Sequence, residues 1–213
     1  MAEDIGQESV REAYRWRESM WCSHCGASTR ERGFWSVLIN HFAPAANSAA
    51  DLVNEPAFRA LRIAEINRLN AGHRYLDGLD NLTYAEYPDE DIQALSYADG
   101  SFDLVLTSDT LEHVPDYELA LTETLRVLRP GGSHVLTVPL RPDLAATRNR
   151  AGMKPVFHGV APGPWAFVRR PAYDMKCLHD FAMDFDSKLE AAGFEVEVHG
   201  TGIEVVFCAR RPS

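Results

Sequence analysis

The sequence predicts an α/β fold in which a mostly parallel sheet finishes in an antiparallel hairpin, and three observations carry that prediction. Leu104-Val105-Leu106 is continuously apolar and β-compatible, as expected of a strand covered on both faces. After Asp116, residues Tyr117, Ala120, Leu121, Thr124, Leu125 and Leu128 share one helical face, and Pro130-Gly131-Gly132 stops that helix ahead of an apolar run at 135–138. Strand, helix, turn and strand in that order read as a right-handed crossover between parallel strands. Finally, the runs 194–199 and 203–208 flank Gly200-Thr201-Gly202, which is a hairpin signal.

The remaining elements follow in chain order. Cys22-Ser23-His24-Cys25-Gly26 precedes a helix start at which Ser28 and Glu31 have the spacing of a capping box. Phe34, Trp35, Leu38, Ile39 and Phe42 then recur at helical spacing, and Pro44 ends the helix. The run 61–66 is a strand candidate and 82–87 a weaker one. Residues 141–178, rich in Pro, Gly and Arg, are too long for a connector and read as a lid or substrate loop. From Asp180 onward Phe181, Phe185 and Leu189 lie on one helical face, with Gly193 as the stop. The expected division is an N-terminal helical segment at 1–56 and a second region at 57–213 that contains the lid.

Charge narrows the partners. Against 31 acidic residues there are 21 Lys and Arg, a formal net charge of −10, which removes the electrostatic drive for binding a phosphate backbone. A small molecule is the expected partner, with neither nucleic acid nor membrane, and a homodimer is an allowed state. No apolar run approaches the ~20 residues that cross a bilayer, and the first residues lack the basic and apolar parts of a secretory signal, so the expected location is cytoplasmic.

In an open parallel sheet, ligands bind beyond the carboxyl ends of the strands where strand order reverses. Glu65-Ile66-Asn67, Glu86 and Ser108-Asp109 fall at such ends. Acids there fit the ribose hydroxyls of an adenosine cofactor that carries positive charge, or they are solvated strand ends.

One stretch resembles a known family. Asp91-Ile92, Leu95 and Asp99-Gly100-Ser101-Phe102-Asp103-Leu104-Val105-Leu106 are followed by Leu111-Glu112-His113-Val114-Pro115-Asp116 and Glu123-Thr124-Leu125-Arg126-Val127-Leu128-Arg129-Pro130-Gly131-Gly132. Together they resemble class I S-adenosylmethionine-dependent methyltransferases of the type 11 subgroup. The resemblance implies a Rossmann-like, mostly parallel seven-stranded sheet whose last strand is antiparallel. It also implies S-adenosyl-L-methionine as cofactor and methyl transfer to an O or N nucleophile of a small molecule. By position, Glu65, Ile66 and Asn67 would lie near the methionine end and Glu86 at the ribose hydroxyls. Asp91 and Ile92 would hold the adenine, and Ser108 and Asp109 would line the floor beside the sulfonium. The first loop departs from the family: Asn67-Arg68-Leu69-Asn70-Ala71-Gly72 stands where closely spaced glycines are usual, and Asn is the residue that best tolerates a left-handed backbone in their place. That departure leaves two alternatives open, a methyltransferase-fold binding or partner protein without catalysis, and a methyltransferase-like enzyme of another reaction type.

His113 and His158 are the candidate proton acceptors, with His179 as another, against a reading in which His113 only pins its loop. Cys22 and Cys25 supply two of the four ligands of a structural zinc site, which His24 or His41 would have to help complete; two reduced cysteines in a turn are the alternative. Arg148, Arg150, Lys154, Arg169 and Arg170 make the lid basic and suit a phosphate or carboxylate on a substrate, or simply solvate the loop.

Overall fold

The computed structural model describes residues 16–18, 20–153, 176–201 and 204–213. Helix α1 (Thr29–Phe42) is followed by two single turns, α2 (Ala49–Leu52) and α3 (Pro56–Arg59). The α/β part contains β1 (Ile63–Ile66), α4 (His73–Leu76), β2 (Leu82–Ala85), β3 (Phe102–Ser108), α5 (Tyr117–Val127) and β4 (Leu128–Thr137). Short strands β5 (Arg148–Asn149) and β6 (His179–Asp180) come next, and α6 (Phe185–Ala191), β7 (Glu195–Thr201) and β8 (Glu204–Arg210) complete the chain.

The capping box at α1 is present. Ser28 Oγ accepts from Glu31 N and the Glu31 carboxylate accepts from Ser28 N at 2.6 Å, so two free donors of the first turn are satisfied reciprocally. Asp116 caps α5 by accepting from Leu119 N. Two boundaries differ from the sequence expectation. Helix α6 begins at Phe185 rather than beside Asp180, because residues 179–180 pair as a strand with 148–149. Pro130-Gly131-Gly132 does not separate helix from strand: β4 starts at Leu128 and runs through it, with Gly131 at φ +75° and its N–H donated to Arg211 O.

Among the described residues the main sheet has six strands, in the order β2-β1-β3-β4-β8-β7, so the expected count of seven is corrected. The connection from the end of β2 to the start of β3 forms turns rather than another strand. Strands β1 to β4 pair in parallel, and β8 is antiparallel to both β4 and β7, which gives the expected hairpin. Strand order reverses between β1 and β3, the place where an open α/β sheet offers a crevice.

The central strands are buried on both faces, and successive side chains point to opposite sides of the sheet. Ala64, Ile66, Val105, Leu136 and Phe207 face α5 and α6, meeting Tyr117, Leu121, Phe185 and Leu189. Ile63, Leu104, Leu106, Val135 and Cys208 face the other way and meet Phe34, Trp35 and Leu38 of α1, with Phe58 and Leu76. Each fully buried aliphatic or aromatic side chain contributes about 1.5–3 kcal/mol. Helix α1 therefore belongs to the same core as the sheet, and its first turn is carried to the sheet's carboxyl edge.

The residues of the recognised stretch hold this scaffold together. Arg126 donates to Asp99 Oδ1 at 2.8 Å and to the carbonyls of Tyr97 and Leu95, closing the approach to β3, while Gly100 turns at φ +67°. Burial acts against ionisation of Asp103, yet hydrogen bonds from the Arg62 backbone and side chain and from Arg129 hold its carboxyl below the usual range.

Candidate functional site

Three strand ends bring the predicted residues to one edge of the sheet, but they do different things there. At the end of β1, Glu65 is fully buried: one carboxylate oxygen accepts from Leu69 N at 2.8 Å and the other contacts His73 Nδ1 at 2.5 Å. Glu65 thus shapes the first loop from inside it. Ile66 is core. Asn67 adopts the left-handed backbone at φ +56°, as its residue type allows, and donates its N–H to Ala85 O at 2.7 Å. Its side-chain oxygen accepts from Tyr87 N at 3.2 Å, tying the loop to the segment after β2.

At the end of β2, Glu86 is exposed. In the following turn Asp91 accepts from Gln93 N at 2.9 Å and from the Gln93 side chain, and Ile92 is buried in the core. This part of the edge stays uncovered: Glu86, just after β2, is exposed beside the Tyr84 hydroxyl, and the partners of Asp91 lie in its own turn.

The end of β3 is closed. Asp109 is left-handed at φ +48°, donates its N–H to Thr137 O at 3.0 Å, and accepts from Thr137 Oγ1 at 3.0 Å. Arg17, only 1% exposed, reaches it with both terminal nitrogens at 2.6 and 2.7 Å. Such forked pairing is the strongest geometry a guanidinium and a carboxylate offer. Arg30 approaches the same carboxylate at 3.2 Å and donates to Ser108 Oγ, while Glu18 pairs with Arg30 at 3.0 Å and with Arg17. Burial alone would lower the Arg30 pKa, but Asp109 and Glu18 outweigh it and raise it.

Helix α1 seals the neighbouring gap. The Glu31 oxygen left over from the capping box accepts from Ala71 N at 2.9 Å, and Trp35 lies against Gly72, whose missing Cβ makes that approach possible. What is left between Glu31, Phe34, Trp35, Leu69 and Ser108 is a void of about 10 Å³, room for one water at most. On the other side of α1 lies an open cleft of about 370 Å³ whose walls include Arg17, Arg30, Thr137 and Glu204.

The remaining candidates anchor loops. His113 Nδ1 lies 3.1 Å from Lys176 O, and its Nε2 is 3.5 Å from Glu112. His179 is buried with Nε2 2.9 Å from Val114 O. His158 lies outside the described residues, as do Lys154, Arg169 and Arg170. The other basic lid residues do not reach toward a substrate: Arg148 and Arg150 both pair with Asp180, at 2.9 and 2.7 Å. Cys22 and Cys25 are free thiols in a tight turn closed by Cys22 N to Ala27 O, and hydrogen bonds from the backbone of Cys25 and His24 pull the Cys22 thiol down. Among the described residues no group of three or more His, Cys, Asp or Glu could hold a metal, so His24 and His41 do not complete a zinc site with them.

The edge thus has two unlike halves: Glu86 and the Asp91–Ile92 turn leave one half uncovered, whereas the gap between the first loop and β3 is filled by side chains of α1 and by Arg17. Sequence reasoning missed Arg17 and Arg30 altogether. The available signal was a left-handed acid at the end of β3 in need of cations, but nothing local said which of the chain's arginines would supply them.

Comparison with known proteins agrees with this architecture. The family model described as "Methyltransferase domain" matches residues 57–136. A sarcosine/dimethylglycine N-methyltransferase of Halorhodospira halochloris is 32% identical over 118 residues, covering 54% of this chain and 42% of that protein. A demethylmenaquinone methyltransferase of Desulfitobacterium hafniense is 29% identical over 137 residues, covering 59% of this chain and 49% of that protein. The chain thus spans less than half the length of these curated relatives. Among solved structures, the 1,6-didemethyltoxoflavin-N1-methyltransferase of Burkholderia thailandensis, crystallised with 1,6-didemethyltoxoflavin and S-adenosylhomocysteine, superimposes with a TM-score of 0.55. At 14% identity, over 86% of this chain and 79% of that one, it shows a shared fold. No helix among the described residues is long and apolar enough to cross a membrane. Over residues 57–136 the chain is thus similar to methyltransferase domains, and its mostly parallel sheet with an antiparallel finish is the Rossmann-like fold it shares with the solved methyltransferase.

Proposed function

We propose that the chain transfers a methyl group from S-adenosylmethionine to an oxygen or nitrogen nucleophile of a small molecule. The observation that carries this reading is the matched domain, which sets Glu86, Asp91–Ile92 and Ser108–Asp109 along one edge of a sheet whose strand order reverses beside them. The names of the relatives, an amine methyltransferase and a quinone-precursor methyltransferase, support a small acceptor.

In this reading Glu86 accepts from the ribose hydroxyls, and Asp91 takes the adenine amino group once its bonds to Gln93 relax. Glu65, through Leu69 and His73, fixes the path of the first loop, and Asn67 holds the loop's left-handed turn. The cofactor supplies an electrophilic methyl on a sulfonium, and displacement there is in line, so alignment and exclusion of water provide much of the rate. His113, half-buried beyond β3, takes the proton of an acceptor that must lose one. Helix α1 and Arg17, from the N-terminal segment, act as a cover on the carboxyl edge of the sheet.

Isothermal titration with S-adenosylmethionine and S-adenosylhomocysteine tests the reading. Binding of both supports it; no heat and no thermal shift with either ligand overturns it. A second reading, a methyltransferase fold that binds a partner and does not transfer, is favoured by one observation, the filled gap between the first loop and β3. Binding of the cofactor without turnover on any acceptor would favour it.

A further inference from the structure

The turn that holds Cys22 and Cys25 joins the two parts of the cover. Upstream of it, Arg17 reaches Asp109 at 2.6 and 2.7 Å. Downstream, Ser28 caps α1. The turn itself is closed twice, by Gly26 N donating to Cys22 O at 2.8 Å and by Cys22 N donating to Ala27 O at 2.9 Å, and Gly26 takes φ +69°. Arg32 adds bonds to Met20 O and Ala27 O at 3.3 and 3.4 Å, and Arg74 donates to Cys25 O at 2.7 Å. We propose that Cys22 and Cys25 are a site of reversible oxidation, closing to an intrachain disulfide that fastens the arm bearing Arg17 to the start of α1.

The geometry suits that bond. In a turn closed this tightly, Cα atoms three positions apart lie within about 7 Å, which overlaps the roughly 4.4–6.8 Å that a disulfide spans. The backbone N–H groups of Cys25 and His24 point at the Cys22 sulfur, and the Cys25 thiol donates to it as well, so the two side chains face each other. Both thiols are free and partly exposed, whereas Cys177 and Cys208 are buried. Among the described residues no third His, Cys, Asp or Glu joins the pair in a metal-holding group. With a low-molecular-weight disulfide as oxidant, the Cys22 thiolate attacks one sulfur, the external S–S bond breaks, and a thiolate leaves with the bonding pair. The Cys25 sulfur then attacks Cys22, forms the internal S–S bond and expels the second thiolate. The two cysteine protons pass to the released thiols. The pair has lost two electrons and the external disulfide has gained them.

Incubation of the whole chain with oxidised glutathione, followed by intact mass and peptide mapping, tests the proposal. The wild type should lose two hydrogens, with the new bond in the peptide holding Cys22 and Cys25 and no lasting glutathione adduct. Cys25→Ser lacks the resolving thiol and should keep one glutathione on Cys22. Cys177 and Cys208, buried in the fold, should stay unmodified and serve as internal controls. Dithiothreitol should restore the original mass. The oxidised form should melt about 4 °C higher, because a bond across a short loop removes freedom from the unfolded chain. A stable glutathione adduct on the wild type in place of the internal bond overturns the proposal, as does recovery of both thiols unreacted. A lower Tm on oxidation also overturns it, because the bond would then strain the turn rather than fasten it. If Cys25→Ser does not fold, the wild-type mass alone decides.

Discussion

The carboxyl ends of β2 and β3 lie on the same edge of one sheet with only β1 between them, yet one is open and the other is shut. Glu86 after β2 is exposed, and the Asp91 after it bonds within its own turn. Asp109 after β3 is covered by two arginines from a segment that precedes the whole sheet. The difference teaches that a strand-end acid becomes a ligand site or a docking point according to what the rest of the chain lays over it. Strand register determines only where the acid stands.

The comparison can be broken most forcefully at the shut end. Asp109→Ala leaves the buried Arg17 guanidinium without its forked partner, and loss of one member of a buried pair costs about 3–5 kcal/mol. Urea denaturation should show that loss; a change below about 1 kcal/mol would mean the pair is screened like a surface contact. A milder probe is Gly72→Ala. Its new Cβ meets the Trp35 indole, so α1 must lift from the first loop, at the cost of about 1–3 kcal/mol usual for overpacking. Thermal denaturation measures the loss, and an unchanged Tm would show that α1 is not pressed on the loop.

At the open end the expected effects fall on binding. Glu86→Gln, at an exposed position, should leave stability within about 0.5 kcal/mol and weaken S-adenosylmethionine about tenfold in a titration. Equal affinity for variant and wild type would remove Glu86 from the site. The smallest effect concerns the sheet common to both ends. Burial pushes His134, whose Nε2 lies 2.9 Å from Thr107 Oγ1, down to about 3, so the folded protein keeps it neutral. The unfolded chain takes up that proton below its ordinary value of 6.5, and stability therefore falls as pH drops from there toward 3. Between pH 6.5 and 5.5 the contribution is about 1 kcal/mol. A His134→Leu variant followed by thermal denaturation should lack that part of the slope, and an identical slope would mean His134 is protonated in the fold.

Much of the site's placement was legible in advance, and the reasons are local. The capping box at Ser28 and Glu31, the cap at Asp116 and the pairing of β7 with β8 each depend on a few neighbouring residues. The recognised stretch could be read because Asp99, Gly100, Asp103 and Arg126 are bound up in short turns and strand ends that tolerate few substitutes. Asn67 and Asn70 were expected to stand in partly for the missing glycines by adopting a left-handed backbone; Asn67 does so, whereas Asn70 starts the short turn Asn70–Gly72 without it. The expectation of seven strands failed because the connection from the end of β2 to the start of β3 forms turns. The basic lid misled because a side chain's charge does not tell where its partner lies: Arg148 and Arg150 both find Asp180.

By itself, then, the sequence determined the order of the elements, the alternation that buries both faces of the sheet, and the acids that arrive at its edge. Those properties follow from periods of 2 and 3.6 residues and from turn chemistry, all of which act over a handful of positions. Only the tertiary structure decided which acids remain available. Arg17 reaches Asp109 across 92 residues, Arg30 reaches Ser108 across 78, and Glu31 reaches Ala71 across 40. No local pattern encodes such pairs, because long-range electrostatic contacts form only after packing has brought the partners together and excluded the water that would otherwise screen them.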